Sequence, residues 1–212
     1  MTAMNVFVIG HSYIRRLKEY CVQKGTENLG LDPKQYHVTF RGKGGLKLSK
    51  CPETSWSRNI VHPEFLCFDT VPDVVFLQIG ENDISTSTNS RNLAMDIISV
   101  AQYLRDGVGV KLIIIGQLIR RMQFASCRDF NATVVEINLH VQQMNDPLCG
   151  IHYWGHRGFW NGENFPFWND LQYLGPDGVH LLCAPTEDQP MRKYLRSVRN
   201  AVILLSKLLR PV

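Results

Sequence analysis

A short run without polar breaks, Asn5-Val-Phe-Val-Ile9, opens the chain and stops at Gly10. Apolar side chains at nearly every position of so short a segment predict a strand covered on both faces. Over 12–24 the pattern changes to a helical period. Ile14, Leu17, Cys21 and Val22 fall on one side, with Arg15, Arg16, Lys18 and Glu19 on the other. A second short strand is predicted over 37–40 and runs into the glycine-rich Arg41-Gly-Lys-Gly-Gly45. A third covers 73–79 behind Pro72, and a fourth runs from Val110 to Ile115 and closes at Gly116. Helices are predicted over 91–105, with Leu93, Ile97, Val100, Ala101 and Leu104 inward, and over 127–144, with Phe130, Val134, Ile137 and Val141 inward. A fifth short strand is expected at 149–153. The last helix is predicted over 188–209, with Leu195, Val198, Val202, Leu205 and Leu209 as its inner stripe.

Strand and helix alternate four times, and the strands do not alternate in polarity. Both features predict an α/β fold: a parallel sheet with helices on both faces. The 212 residues suit one domain, taken as 1–212. In such sheets, sites form beyond the carboxyl ends of the strands. That rule selects Gly10-His11-Ser12, Arg41 to Gly45, Gly80-Glu81-Asn82-Asp83 and the loop leading to His180.

Composition narrows the setting. Apolar content of 44% and charged content of 20% are ordinary for a globular chain. No apolar stretch approaches the ~20 residues that span a bilayer, and no signal-peptide pattern precedes the first strand. Six cysteines are scattered without a C-x-x-C pair. The expectation is a cytoplasmic protein with reduced thiols. The net charge of +4 is concentrated at the end of the chain. Residues 187–212 carry Arg192, Lys193, Arg196, Arg199, Lys207 and Arg210 against Glu187 and Asp188, leaving 17 basic and 17 acidic residues elsewhere. Such a helix either makes weak contact with nucleic acid or presents one solvated face.

Ser12 follows a strand and opens a helix, where helix dipole and amide N–H groups favour an anion. The plainer account of Ser12 is an N-cap. Acyl transfer also needs donors aimed at the oxygen that becomes negative in the tetrahedral intermediate. A glycine N–H at Gly45 and the side-chain amide of Asn82 are suited to that, although Gly42, Gly44 and Gly45 also fit a tight turn and Asn82 an Asx-turn. Asp177 and His180 lie three apart in a Gly/Pro-marked turn, so an orienting carboxylate and a base can face one spot.

Taken together, these four segments, each at the end of a predicted strand or turn, resemble the SGNH hydrolase family, also called GDSL-type esterases. That family carries Gly-Asp-Ser, a glycine, Gly-x-Asn-Asp and Asp-x-x-His in this order. Here the blocks read Gly10-His11-Ser12, Gly44-Gly45, Gly80-Glu81-Asn82-Asp83 and Asp177-Gly-Val-His180. The resemblance runs from residue 5 to about 205. The chain is also similar to SGNH domains carried by animal mobile elements, through Gly-His-Ser-Tyr-Ile-Arg-Arg-Leu and Trp-Gly-His-Arg-Gly-Phe-Trp. The resemblance implies a flavodoxin-like α/β/α sandwich of about five parallel strands in the order 2-1-3-4-5. It also implies hydrolysis of acetyl or other short acyl esters through an acyl-enzyme, with no metal or organic cofactor. In that scheme Ser12 is the nucleophile, His180 the base and Asp177 its orienter, while Ser12, Gly45 and Asn82 form the oxyanion hole.

His11 departs from the family's aspartate. The departure keeps open a catalytically weakened domain that binds a partner, while restoration of aspartate at 11 is expected to preserve or raise activity. Two further readings stand beside these. Arg41-Gly-Lys-Gly-Gly45 would cradle the phosphate of a nucleotide or flavin, without either phosphate-binding fingerprint. Cys149, His152 and His156 have residue types that suit zinc, although surface histidines beside a strand end are the plainer account. Finally, eight of the 21 residues from Tyr153 to Tyr173 are aromatic. They either pin a long loop or wall a substrate pocket, for which Trp154, Trp160 and Trp168 are the candidates.

Overall fold

A computed structural model of the chain describes residues 2–48, 56–121, 129–157, 159, 173–183 and 189–209. Five strands form one sheet: β1 (Met4–Gly10), β2 (Tyr36–Gly42), β3 (Val74–Gln78), β4 (Leu112–Gly116) and β5 (Ile151–Trp154). All neighbours are parallel and the order is β2-β1-β3-β4-β5, the order expected. The helices are α1 (Ser12–Gln23), the short α2 (Pro63–Leu66), α3 (Ser90–Gln102), α4 (Phe130–Met144) and α5 (Gln189–Ser206).

The unbroken apolar strands are explained by two cores, one on each face. Along β1, Phe7 and Ile9 join Val75, Leu77, Ile113 and Ile115 beneath α3 and α4. Their neighbours Val6 and Val8 join Val74, Phe76, Leu112 and Ile114 beneath α1 and α5. Side chains alternate between faces along a strand, so a sheet covered on both sides needs apolar residues at every position.

Three features differ from the pattern. β2 runs on through Arg41 and Gly42, so the glycine-rich loop begins only at Lys43. A side chain at Gly42 would run into the backbone of Arg15, so glycine here lets α1 pack closely on the sheet. α3 widens into a π-helical turn over Tyr103–Val108 and stops at the left-handed Gly109. On α5 the buried stripe is Met191, Tyr194, Val198, Ala201 and Val202, while Leu195, Leu205 and Leu209 flank it only partly buried. Arg192, Arg196 and Arg199 face outward. No helix among the described residues is long and apolar enough to cross a membrane. Cys21, Cys67, Cys149 and Cys183 form no disulfide among the described residues, and Cys51 and Cys127 lie outside them.

Candidate active site

The first turn of α1 is capped by His11, whose Nδ1 accepts the Tyr13 N–H at 3.4 Å. The cap role open to Ser12 is therefore taken by its neighbour, and the serine hydroxyl faces elsewhere. Ser12 Oγ lies 2.8 Å from His180 Nε2, and His180 Nδ1 lies 2.7 Å from Asp177 Oδ2. Serine, histidine and aspartate, spread over 168 positions of sequence, are thus joined by two hydrogen bonds. Ser12 is largely buried, 7% exposed.

The turn carrying Asp177 and His180 is held from several directions. Leu174 and Leu181 form an antiparallel bridge. The Gly175 N–H donates to the His180 carbonyl at 2.7 Å, and Gly178 takes a positive φ of 62°. Asp177 Oδ1 accepts the backbone N–H groups of Val179 and His180 at 3.0 and 2.9 Å. The buried Tyr13 hydroxyl donates to the Val179 carbonyl at 2.5 Å, so the residue after the nucleophile also anchors the turn that carries the base.

Charges around the histidine suit a base. Burial lowers the His180 pKa below its ordinary value and outweighs the opposing effect of Asp177, and the positive charges of Arg16 and Arg121 lower it further. Asp177 loses some hydration, which alone would raise its pKa. The hydrogen bonds from His180 and Val179 overcome this and hold the carboxyl well below the usual range. Arg16 Nη2 approaches the same carboxylate at 3.4 Å.

Gly80-Glu81-Asn82-Asp83, just beyond β3, ties the other segments together. The Asp83 carboxylate accepts the Leu48 N–H at 3.1 Å from each oxygen, and Asn82 Nδ2 donates to the Leu46 carbonyl at 3.0 Å. Both bonds hold the glycine-rich loop against the end of β3. In that loop Gly45 has φ of 73°, as expected of a tight turn, whereas Gly42 and Gly44 do not take positive φ. Among the described residues no acceptor takes the Gly45 N–H. Glu81 turns the other way. Its carboxylate accepts His11 Nε2–H at 2.6 Å, with both side chains fully buried, and also accepts Gln78 Nε2 at 2.8 Å and the Ile119 N–H at 3.1 Å. Burial alone would raise the Glu81 pKa. The His11 partner, the charge of Arg121 and the Ile119 N–H together bring it down to about 2.

The hydrogen bonds continue inward. Gln78 Oε1 lies 3.1 Å from His156 Nε2, and His156 Nδ1 lies 2.8 Å from Ser197 Oγ on α5. His156 is 1% exposed, so the account of it as a surface histidine is corrected: it is a core residue with both ring nitrogens engaged, which leaves neither for a metal. Trp154 donates its indole N–H to the same Ser197 Oγ at 3.0 Å. Its ring lines a cavity of about 190 Å³ with Arg157, Lys193, Arg196 and Asn200. Trp160 and Trp168 lie outside the described residues.

Two participants carry no signal in the motifs. Glu81 sits inside Gly80-Glu81-Asn82-Asp83 at the position that the family pattern leaves open. Arg121 lies five residues past β4, another strand end on the site's side of the sheet, and the strand-end rule applied there would have found it.

No protein-family model matches the chain, and no curated protein matches it. Solved structures do. One is a GDSL-like lipase from Bacteroides thetaiotaomicron, at TM-score 0.64 and 16% identity over 96% of this chain and 88% of that one. The chain has the fold of the GDSL-type acylhydrolases. A member of the lipolytic G-D-S-L family from Veillonella parvula matches at TM-score 0.63 and 18% identity, covering 95% of this chain and 100% of that one. A carbohydrate acetylesterase family member from Sinorhizobium meliloti matches at 0.65 and 14%, covering 95% and 98%. Identities this low carry the fold; the chemistry rests on the side chains of this chain.

Proposed function

We propose that this chain is a serine hydrolase of carboxylic esters, acting on acetyl or other short acyl groups through an acyl-enzyme. The observation that carries the reading is the hydrogen-bonded series Ser12–His180–Asp177, at 2.8 and 2.7 Å. In the first half-reaction Ser12 Oγ attacks the acyl carbonyl as its proton passes to His180 Nε2. Asp177 keeps the Nδ1 proton in place and stabilises the imidazolium. The carbonyl oxygen becomes negative and is met by the N–H groups of Ser12 and Gly45 and by the Asn82 amide. Collapse expels the alcohol, which takes the proton from His180. Water then repeats the sequence on the acyl-serine and releases the acid.

His11, the departure from the family pattern, does not weaken this reading. Paired with Glu81 and capping α1, it supports the nucleophile in its own way. The experiment is hydrolysis of a chromogenic acetyl ester by wild type, Ser12→Ala and His180→Ala. Both variants are expected to fall to background, with the double variant no worse than either because the residues act as a unit. Wild-type turnover by Ser12→Ala would overturn the proposal.

A further inference from the structure

Arg121 enters the site from beyond β4 and, apart from its charge near His180, has no step in the chemistry above. Its backbone is held at both ends by Asn131 of α4, which accepts the Arg121 N–H at 3.0 Å and donates to its carbonyl at 2.7 Å. Asn131 is itself buried. The guanidinium lies 5.2 Å from the centre of the Phe130 ring, and its Nη2 donates to Asn82 Oδ1 at 2.9 Å.

That last bond bears on an ambiguity of shape. A side-chain amide fills nearly the same space when turned through 180°, so its partners decide which end faces which way. Asn82 lies between a pure acceptor, the Leu46 carbonyl, and a pure donor, Arg121. Only one orientation satisfies both. It engages one amide N–H with Leu46 and leaves the other for a further acceptor. A cationic donor on Oδ1 also polarises the amide and strengthens the N–H that remains.

We propose that Arg121 is a positioning residue, locking and polarising the Asn82 amide so that its second N–H meets the oxyanion. The proposal rests on the ester-hydrolase reading for what that N–H does, but the lock itself is a property of the resting protein.

The test combines a kinetic cycle with a measurement on the resting protein, using the whole chain. Arg121→Met is expected to lower kcat by roughly 10- to 100-fold with KM little changed, as for loss of part of a transition-state donor. Combined with Asn82→Ala and read as kcat on the pH plateau, where His180 is neutral in every variant, it should cost nothing beyond Asn82→Ala alone, because there Arg121 acts through that amide. Multiplying losses would overturn the proposal. Arg121→Lys keeps the charge and one donor and should recover part of kcat. The pH profile separates the lock from a general effect of charge. Among the described residues, the charged groups facing His180 are Asp177, Arg16 and Arg121. Removing the Arg121 charge should move the acid limb of kcat/KM to higher pH, and Arg121→Lys should leave it in place. In the resting protein, hydrogen exchange of the Asn82 side-chain amide should quicken severalfold in Arg121→Met. Unchanged exchange would overturn the lock. If instead wild type and Ser12→Ala hydrolyse esters equally, the ester-hydrolase reading fails, while exchange at Asn82 still decides the role of Arg121.

Discussion

Position 11 shows how one substitution relative to a family pattern is absorbed by its surroundings. The sequence alone leads one to expect that aspartate at 11 preserves or raises activity. The contact of the His11 ring with the buried Glu81 carboxylate at 2.6 Å argues for the opposite outcome. His11→Asp would place two carboxylates together without water, and Glu81 already needs a donor there. Loss of one partner from a buried pair costs about 3–5 kcal/mol. His11→Asp is therefore expected to lose about that much stability in urea unfolding and most of its activity. His11→Asp combined with Glu81→Gln should recover part of both. A His11→Asp protein as stable as wild type would refute the account of this pair. The histidine was legible as an oddity, but its partner was not. Seventy positions separate them, and they meet only because Gly10 pairs with Gln78 across β1 and β3. The contact between Arg121 and Asn82 is hidden for the same reason, since a side-chain contact across strand ends depends on sheet register.

Elements are where the sequence was most readable. Both sheet faces are covered, so strand identity shows as uninterrupted apolar runs. The turns holding Gly45 and Asp177 carry their own local chemistry of glycine and capping oxygen. What the pattern could not show was how the Asp177–His180 turn docks on α1, because the Tyr13 hydroxyl spans 166 positions to reach Val179. Tyr13→Phe keeps the ring in its core and removes that bond. It is expected to cost about 1 kcal/mol of stability and to lower kcat more than it raises KM, because the base is less well held over Ser12. Equal kcat in Tyr13→Phe would mean that the turn is positioned without it. Trp154 belongs to the opposite side of this balance. Its indole N–H is bound to Ser197, so Trp154→Ala should lose on the order of 2 kcal/mol while selectivity between short and bulky esters stays the same. A change in selectivity at unchanged stability would place Trp154 in the substrate pocket instead.

Across the whole molecule, the buried polar residues form a series from His11 through Glu81, Gln78 and His156 to Ser197, between the nucleophile's neighbour and α5. This arrangement has a consequence for acid stability. Burial lowers the His156 pKa from 6.5 to about 3, so the unfolded chain binds its proton at a higher pH than the native one. The stability from His156 is therefore full above about 6.5 and is lost as pH falls toward 3. Glu81, lowered from 4.5 to about 2, adds a second loss below about 4.5. The melting temperature should begin to fall below about pH 6.5 and fall more steeply below about 4.5. His156→Gln should flatten the upper part of that curve, and an unaltered curve would contradict the assignment. The central claim, that Ser12 is the nucleophile, is tested most directly by trapping the intermediate. Wild type is mixed with a chromogenic acetyl ester, quenched in acid during the first turnover and analysed by peptide mass. The account predicts a burst of released alcohol and one acetyl group on the peptide at Ser12, both missing from Ser12→Ala. Full turnover with the acetyl group on another residue, or an undiminished burst in Ser12→Ala, would contradict it.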